Sequence, residues 1–269
     1  MSCLRTALYL HQSPSSLKSL FSSYLRSLFS SPRRPAATLS FSSSTSAAAS
    51  MAAAATIEHV VLFKVRDSAD PSKVDAMVSN LRSLASLDVV AHLAAGPVLP
   101  LPPRSATGFT HLLHSRYRSK ADLAAYSTHP THVAVVEENV LPVCEDIMAM
   151  DWVADLDSPT AAPPGSAMRL TLAKPKEGAT ADLTATLAQV KLSAPAAVTQ
   201  VSYGENFSPA RAKGYGVGLL AVFRNLEELE AMDAGEKDLV ESVKEKVRPL
   251  LESFIVVDFE VPPPPAATL

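Results

Sequence analysis

The sequence predicts an α+β fold made of two successive βαββαβ modules, and three observations carry that expectation. Residues 57–154 and 167–261 align almost end to end, with Leu141-Pro142 through Asp151-Trp152 matching Arg248-Pro249 through Asp258-Phe259. Each copy also passes in the same order between strand-like and helix-like apolar spacing. Finally, Pro159, Pro163, Pro164 and Gly165 fall between the copies, where an exposed linker belongs. Duplication lets each copy bury its apolar face against its sibling.

The first module opens with a strand, because Glu58, Val60, Leu62 and Lys64 alternate with His59, Val61, Phe63 and Val65. Asp70 as N-cap and Pro71 at the first helical position start a helix striped by Val74, Met77, Val78, Leu81 and Leu84. A second strand over 89–99 carries Gly96, and the prolines that follow require a loop over 100–107. The third strand covers 108–118, with Phe109, His111, Leu113 and Tyr117 on one face. A broken helical region from 120 to about 145 leads to a last strand over 147–153. In the second module Met168, Leu170 and Leu172 supply a strand face. Thr180 caps a helix bearing Leu183, Leu187 and Val190. Strands over 198–206 and 214–223, a helical stretch over 226–251 and a strand over 253–261 complete it.

This order gives an antiparallel sheet with helices on one face, a ferredoxin-like layout. The bare sheet face needs a partner, and the tethered sibling is present at high effective concentration. The two sheets are therefore expected to meet face to face as an intramolecular α/β barrel, a pseudo-dimer open to further homodimer formation. The expected domains are a first module at 57–155, a linker at 156–166, a second module at 167–261 and a short tail at 262–269.

Composition narrows the class. A chain of 269 residues with 47% hydrophobic and 19% charged residues fits an ordinary globular protein with real cores. A net charge of −3 gives no electrostatic reason to expect nucleic acid or an anionic membrane. No stretch approaches the ~18 apolar residues of a membrane span. Cys3 and Cys144 cannot form a disulfide framework, so Cys144 is expected as a buried thiol. Residues 1–55 lack Asp and Glu, are rich in Ser, and carry Arg5, Lys18, Arg26, Arg33 and Arg34, the composition of a transit peptide. The Ser- and Ala-rich character favours the chloroplast over the mitochondrion. A start at Met51 would give a cytosolic or peroxisomal form, the terminal Ala267-Thr268-Leu269 being only a loose peroxisomal signal.

The two copies differ in their ionisable residues. His59, His92, His111, His114, His129 and His132 all lie in the first copy, His11 lies in the leader, and the second copy has none. His59 aligns with Arg169, His111 with Val217, and His132 with about Asp238. The expectation is that the first copy keeps whatever pocket exists while the second is a structural half. His92 and His114 are expected to face solvent. His59 shares a face with Val61 and Phe63, and His111 with Phe109 and Leu113, so both core packing and pocket lining are open to them.

Ile57-Glu58-His59-Val60-Val61-Leu62-Phe63-Lys64, Gly96, Gly108-Phe109-Thr110-His111, Tyr126-Ser127-Thr128-His129-Pro130-Thr131-His132-Val133 and Asp151-Trp152 together resemble the stress-responsive α/β barrel family. The two-module layout is similar to its tandem plant members. One branch, a plant polyketide cyclase that makes olivetolic acid, performs an aldol condensation. That resemblance implies catalytic places for Tyr126 and His132, and pocket or binding places for His59, His111, His129, Phe63 and Phe109. A histidine near neutrality can take a proton beside a carbonyl, and a tyrosine hydroxyl can bond the oxygen that gains charge. The same segment also has a purely structural explanation, with Pro130 starting a helix and His132 bonding a backbone carbonyl or Tyr126. Some relatives hold a divalent ion, such as magnesium, near the end of the first helix; no cofactor is otherwise implied. His129 and His132 lack the His-Glu-x-x-His frame of a zinc site. The expected function is binding of a small hydrophobic molecule or a protein partner, the alternative being cyclase chemistry.

Overall fold

The computed structural model describes residues 56–100, 108–154, 156, 161–235 and 237–263, with backbone alone at 237–241. The expected leader, most of the 100–107 loop, part of the linker and the end of the tail lie outside these residues. The first module runs β1 (Thr56–Val65), α1 (Pro71–Ser83), β2 (His92–Pro97), β3 (His111–Tyr117), α2 (Lys120–Thr128), α3 (Pro130–Val135) and β4 (Cys144–Ala154). The second runs β5 (Ala167–Pro175), α4 (Thr180–Leu192), β6 (Val198–Glu205), β7 (Val217–Phe223), α5 (Leu226–Gly235), α6 (Lys237–Val247) and β8 (Leu251–Glu260). Each module forms an antiparallel four-stranded sheet, in the orders β2-β3-β1-β4 and β6-β7-β5-β8.

The local signals act as their chemistry dictates. Asp70 Oδ1 accepts from the Ser72 amide at 2.9 Å, with Pro71 opening α1, which buries Met77 and Leu81. Ser119 caps α2 by accepting from the Asp122 amide. Thr180 is the first residue of α4 rather than its cap; Ala179 holds the cap position without a side-chain bond. The broken helical region of the first module ends in a π turn over Val136–Val140. Gly108 (φ 71°) and Gly214 (φ 87°) occupy matching places before β3 and β7, where any Cβ would press on Lys64 or Lys174 Cε at 3.0 Å. The register shifts between Lys64 and Val65, and again between Lys174 and Pro175. The duplication is thus visible down to its irregularities.

The two sheets face one another. Val60, Leu62, Leu112, Met148, Met150 and Trp152 share one buried core with Met168, Leu170, Leu172, Leu220, Val257 and Phe259. The ladders do not close into a continuous barrel. One seam is joined by the Trp152–Asn206 bridge, and the other by the Leu99 N–H donating to the Asp258 carbonyl at 2.8 Å. Aromatic side chains lock both seams. Trp152 lies over the cross-strand pair Gly204 and Gly218, and Phe259 lies over Gly96. The larger ring meets two glycines; opposite Gly96 stands Leu112, and the smaller ring suffices.

Because even-numbered β3 residues point into this core, His114 is fully buried, and His92 on β2, with its ring 5.3 Å from that of His114, is half-buried; neither faces solvent as the sequence context suggested. His114 Nε2 lies 2.6 Å from Glu58 Oε2, and Arg116 reaches both Glu58 oxygens and, at 2.7 Å, Gln200 of the second module. Glu58, His114 and Arg116 are all inaccessible to solvent. Among the described residues, no helix is long and apolar enough to cross a membrane.

Candidate functional site

Odd-numbered residues of β1 and β3 face the helices, so His59 projects between the first sheet and α2–α3. There His59 Nδ1 lies 2.5 Å from Asp151 Oδ1, with its ring 6.2 Å from Tyr126 and 6.3 Å from Tyr117. Tyr126 and His132 have ring centroids 4.4 Å apart. Tyr126, His132 and His59 are thereby brought into one cluster, together with Tyr117 and Asp151. The cluster is tightly closed: Tyr117, Tyr126, His59 and Asp151 are all buried. The Arg211 guanidinium, from the β6–β7 loop of the second module, donates to Asp151 Oδ2 at 3.0 Å. Phe207 of the same loop packs on this cluster, with the Lys120 ammonium 4.0 Å from its ring centre.

Electrostatics follow from this burial. Desolvation pushes the Asp151 carboxyl upward, but His59 and Arg211 outweigh it and hold the group below its ordinary value. Burial is the main reason that His132 falls to about 4, with His59 and Arg211 adding to it, so the imidazole is neutral at pH 7. His132 Nδ1 lies 3.1 Å from the Ser127 carbonyl. The arrangement offers a neutral base beside a phenol, both held rigidly.

The remaining candidates stand elsewhere. His129 Nδ1 accepts from the Thr131 amide and so caps α3. His111 lies two ranks along the helix-facing side of the sheet from His59, opposite Phe63, and bonds Thr110 Oγ1. Phe63 is buried in the sheet–helix core. Phe109 precedes β3 and turns the other way, packing on the core between the sheets. Of the carbonyls ending α1, Asn80 accepts from Ser83 Oγ and Ser83 from Ser86 Oγ. Among the described residues, no group of three or more His, Cys, Asp or Glu side chains is placed to hold a metal ion.

The expectation that the first copy alone keeps a pocket is corrected by the structure. A cavity of about 750 Å³ lies in the second module, between its sheet and α4, α5 and α6. Register explains the space. Ala173 occupies the place of Phe63, and Ala221 that of Ser115, so the sheet floor loses bulk where the first module is filled. Accordingly the sheet–helix contacts of the second module form two separate small clusters, one around Leu183 and Leu187, the other around Phe223 and Leu229. The lining is dominated by Leu183, Leu187, Val217, Leu219, Phe254 and Val256. Its polar end is Arg169, which stands where His59 stands in the first module. Arg169 donates from Nε and Nη2 to Asp258, and from Nη1 and Nη2 to Asp233. Burial opposes its charge, yet the bonds to Asp233 and Asp258 prevail and raise its pKa.

The stress responsive A/B barrel domain matches residues 57–154 and again residues 168–261. The chain belongs to that family. A stress-response A/B barrel domain-containing protein of Arabidopsis thaliana, UP-three, is 51% identical over 211 residues, covering 77% of this chain and 79% of that one. A second Arabidopsis relative, DABB1, is 42% identical over 208 residues, covering 77% and 97%. Among solved structures, a Fusobacterium nucleatum protein named for a monooxygenase matches with TM-score 0.57 and 9% identity, over 77% of this chain and 93% of that one. An anthrone oxidase-like protein matches with TM-score 0.53 and 12% identity, over 77% and 91%. At such identities these two speak for the fold alone. The signal that sequence reasoning missed was available in the alignment of the two copies: Phe63 against Ala173, beside His59 against Arg169.

Proposed function

We propose that this stress-response A/B barrel protein binds a small hydrophobic molecule, and that the second module is the one that holds it. The observation that carries this reading is the 750 Å³ cavity with its largely aliphatic lining. That volume falls within the roughly 300–1,000 Å³ range of small-molecule sites. A closed, polar and fully packed cluster in the first module complements it as a structural centre. The test uses the neutral dye Nile red on the full chain. One-to-one fluorescence enhancement is expected, abolished by Leu219→Trp, which fills the cavity, and unaffected by Tyr126→Phe. Enhancement that is absent, or that survives Leu219→Trp, overturns the reading.

A second reading, cyclase-like proton abstraction in the first module, is favoured by one observation: neutral His132 with its ring centre 4.4 Å from that of Tyr126. It requires the arm carrying Phe207 and Arg211 to move before substrate can reach Tyr126. Tyr126→Phe and His132→Ala, assayed together against a metabolite pool, should then each lose turnover. Unchanged turnover in both removes this reading.

A further inference from the structure

Along β5 the floor of the second-module cavity is made by Arg169, Thr171 and Ala173, which alternate with residues facing the other sheet. Thr171 is the middle one of the three. Its cross-strand partners are Leu219 on β7 and Val256 on β8, and both also line the cavity. Leu183 and Leu187 close the space from the side of α4. Thr171 therefore places a hydroxyl at the centre of an otherwise aliphatic floor.

The other polar side chains of the lining are committed or stand at its rim. Arg169 is held by Asp233 and Asp258, and Ser193 Oγ donates to the Gln189 carbonyl at 2.9 Å. Lys244 and Arg248 are exposed, at and just beyond the C-terminal end of α6. Among the described residues nothing bonds the hydroxyl of half-buried Thr171. A hydroxyl in apolar surroundings is costly until it finds a partner, and rotation lets it donate or accept. At the matching place of the first module, two residues after His59, stands Val61, which has the same shape without the hydroxyl and packs on the sheet–helix core. The polar atom thus occurs in the module where a cavity adjoins that position.

We propose, resting on the binding reading above, that Thr171 is the residue that determines specificity, and that the ligand is a mainly hydrocarbon molecule with a carbonyl group midway along it. The carbonyl oxygen accepts from Thr171 Oγ, and the apolar parts on either side cover Ala173, Leu219 and Val256. Thr171 brings one proton to the contact. A carbonyl accepts it and leaves nothing over, whereas a ligand hydroxyl would bring a second proton that none of the aliphatic neighbours of Thr171 can accept. A pure hydrocarbon would cover the hydroxyl and leave it without a partner.

Displacement of Nile red from the full chain by benzophenone, benzhydrol and diphenylmethane, which differ only at the central carbon, tests this. Thr171→Val keeps the shape of the side chain and removes its hydroxyl. It should weaken benzophenone about fivefold relative to diphenylmethane, the worth of one neutral hydrogen bond, and benzhydrol by less. Diphenylmethane should bind the variant at least as well as the parent, which verifies that the cavity is intact, and Thr171→Ser should hold benzophenone within about twofold of the parent. A benzophenone-to-diphenylmethane ratio unchanged by Thr171→Val overturns the role of Thr171 while the hydrophobic site stands. A loss for benzhydrol as large as that for benzophenone overturns the choice of a carbonyl. Nile red that binds but is displaced by none of the three overturns the ligand class, and Nile red that does not bind overturns the site itself.

Discussion

His59 and Asp151 are direct cross-strand partners with Nδ1 2.5 Å from Oδ1, and Arg169 and Asp258 hold the same two places in the second module. Duplication therefore preserved a buried base–acid pair while exchanging the base. In the first module the shorter imidazole leaves room for Tyr126 and Tyr117 to close over it. In the second, the longer guanidinium reaches past Asp258 to Asp233 on α5, and a cavity opens beyond it.

Removing Asp151 leaves His59 and the Arg211 guanidinium facing a buried void. Asp151→Ala is expected to cost about 3 kcal/mol, as for other broken buried pairs. Arg211, with its side chain 24% exposed, contributes less, and Arg211→Gln should cost about 1 kcal/mol or below. Urea denaturation followed by the emission of Trp152, the chain's one tryptophan, measures both. Equal losses would show that burial of the pair is not what matters.

The seam formed by Trp152 is intolerant of added atoms. A Cβ on Gly218 would lie 2.7 Å from Trp152 Cε3, so Gly218→Ala should destabilise the protein by about 1–3 kcal/mol and shift Trp152 emission. Gly235, where an added Cβ would meet nothing within 4 Å, provides the control, and Gly235→Ala should be neutral or slightly stabilising.

Between the sheets, Glu58 is what keeps His114 and Arg116 from being buried cations or dipoles without an acceptor. Burial alone would raise its carboxyl, but His114 and Arg116 together bring it down to about 2. Glu58→Ala should cost about 3–5 kcal/mol, and Gln200→Ala, which removes one acceptor from Arg116, about 1 kcal/mol. Chemical denaturation of the two variants side by side checks the order.

Acid should weaken the fold in two steps. Burial lowers His132 to about 4 and His92 to about 3, whereas both titrate near 6.5 when unfolded. Between these values the unfolded chain binds more protons, so stability is full above about pH 6.5 and declines as pH falls toward 4 for His132 and toward 3 for His92. Moving from pH 7.5 to pH 5 should cost about 2 kcal/mol for each histidine. Glu58 acts lower: its contribution is present above about 4.5 and is lost as pH falls through about 2. Denaturation midpoints at pH 7.5, 5 and 3.5 measure the steps, and His132→Gln should flatten the first.

Strand alternation, the Asp70-Pro71 start of α1 and the repeated Asp-aromatic ending were legible along the chain because each depends on neighbours a few residues apart. The duplication likewise foretold two sheets meeting face to face. Reading His114 as solvent-facing failed because β3 is buried on both sides, and a strand with two covered faces carries no polar-out signal; His92 on β2 lies with its ring 5.3 Å from that buried His114. The cap assigned to Thr180 missed by one position, a local matter that backbone geometry settles.

That the second module encloses a cavity beside its sheet was decided only by tertiary structure. The sequence by itself determined two copies of one βαββαβ unit and the concentration of histidines in the first. Packing then set Phe63 against the helices of one module and Ala173 at the same point of the other. It also sent Phe207 and Arg211 across the seam to seal the histidine cluster. A cavity is a sum of volumes contributed by residues far apart in the chain, and such a sum has no period for a sequence to display.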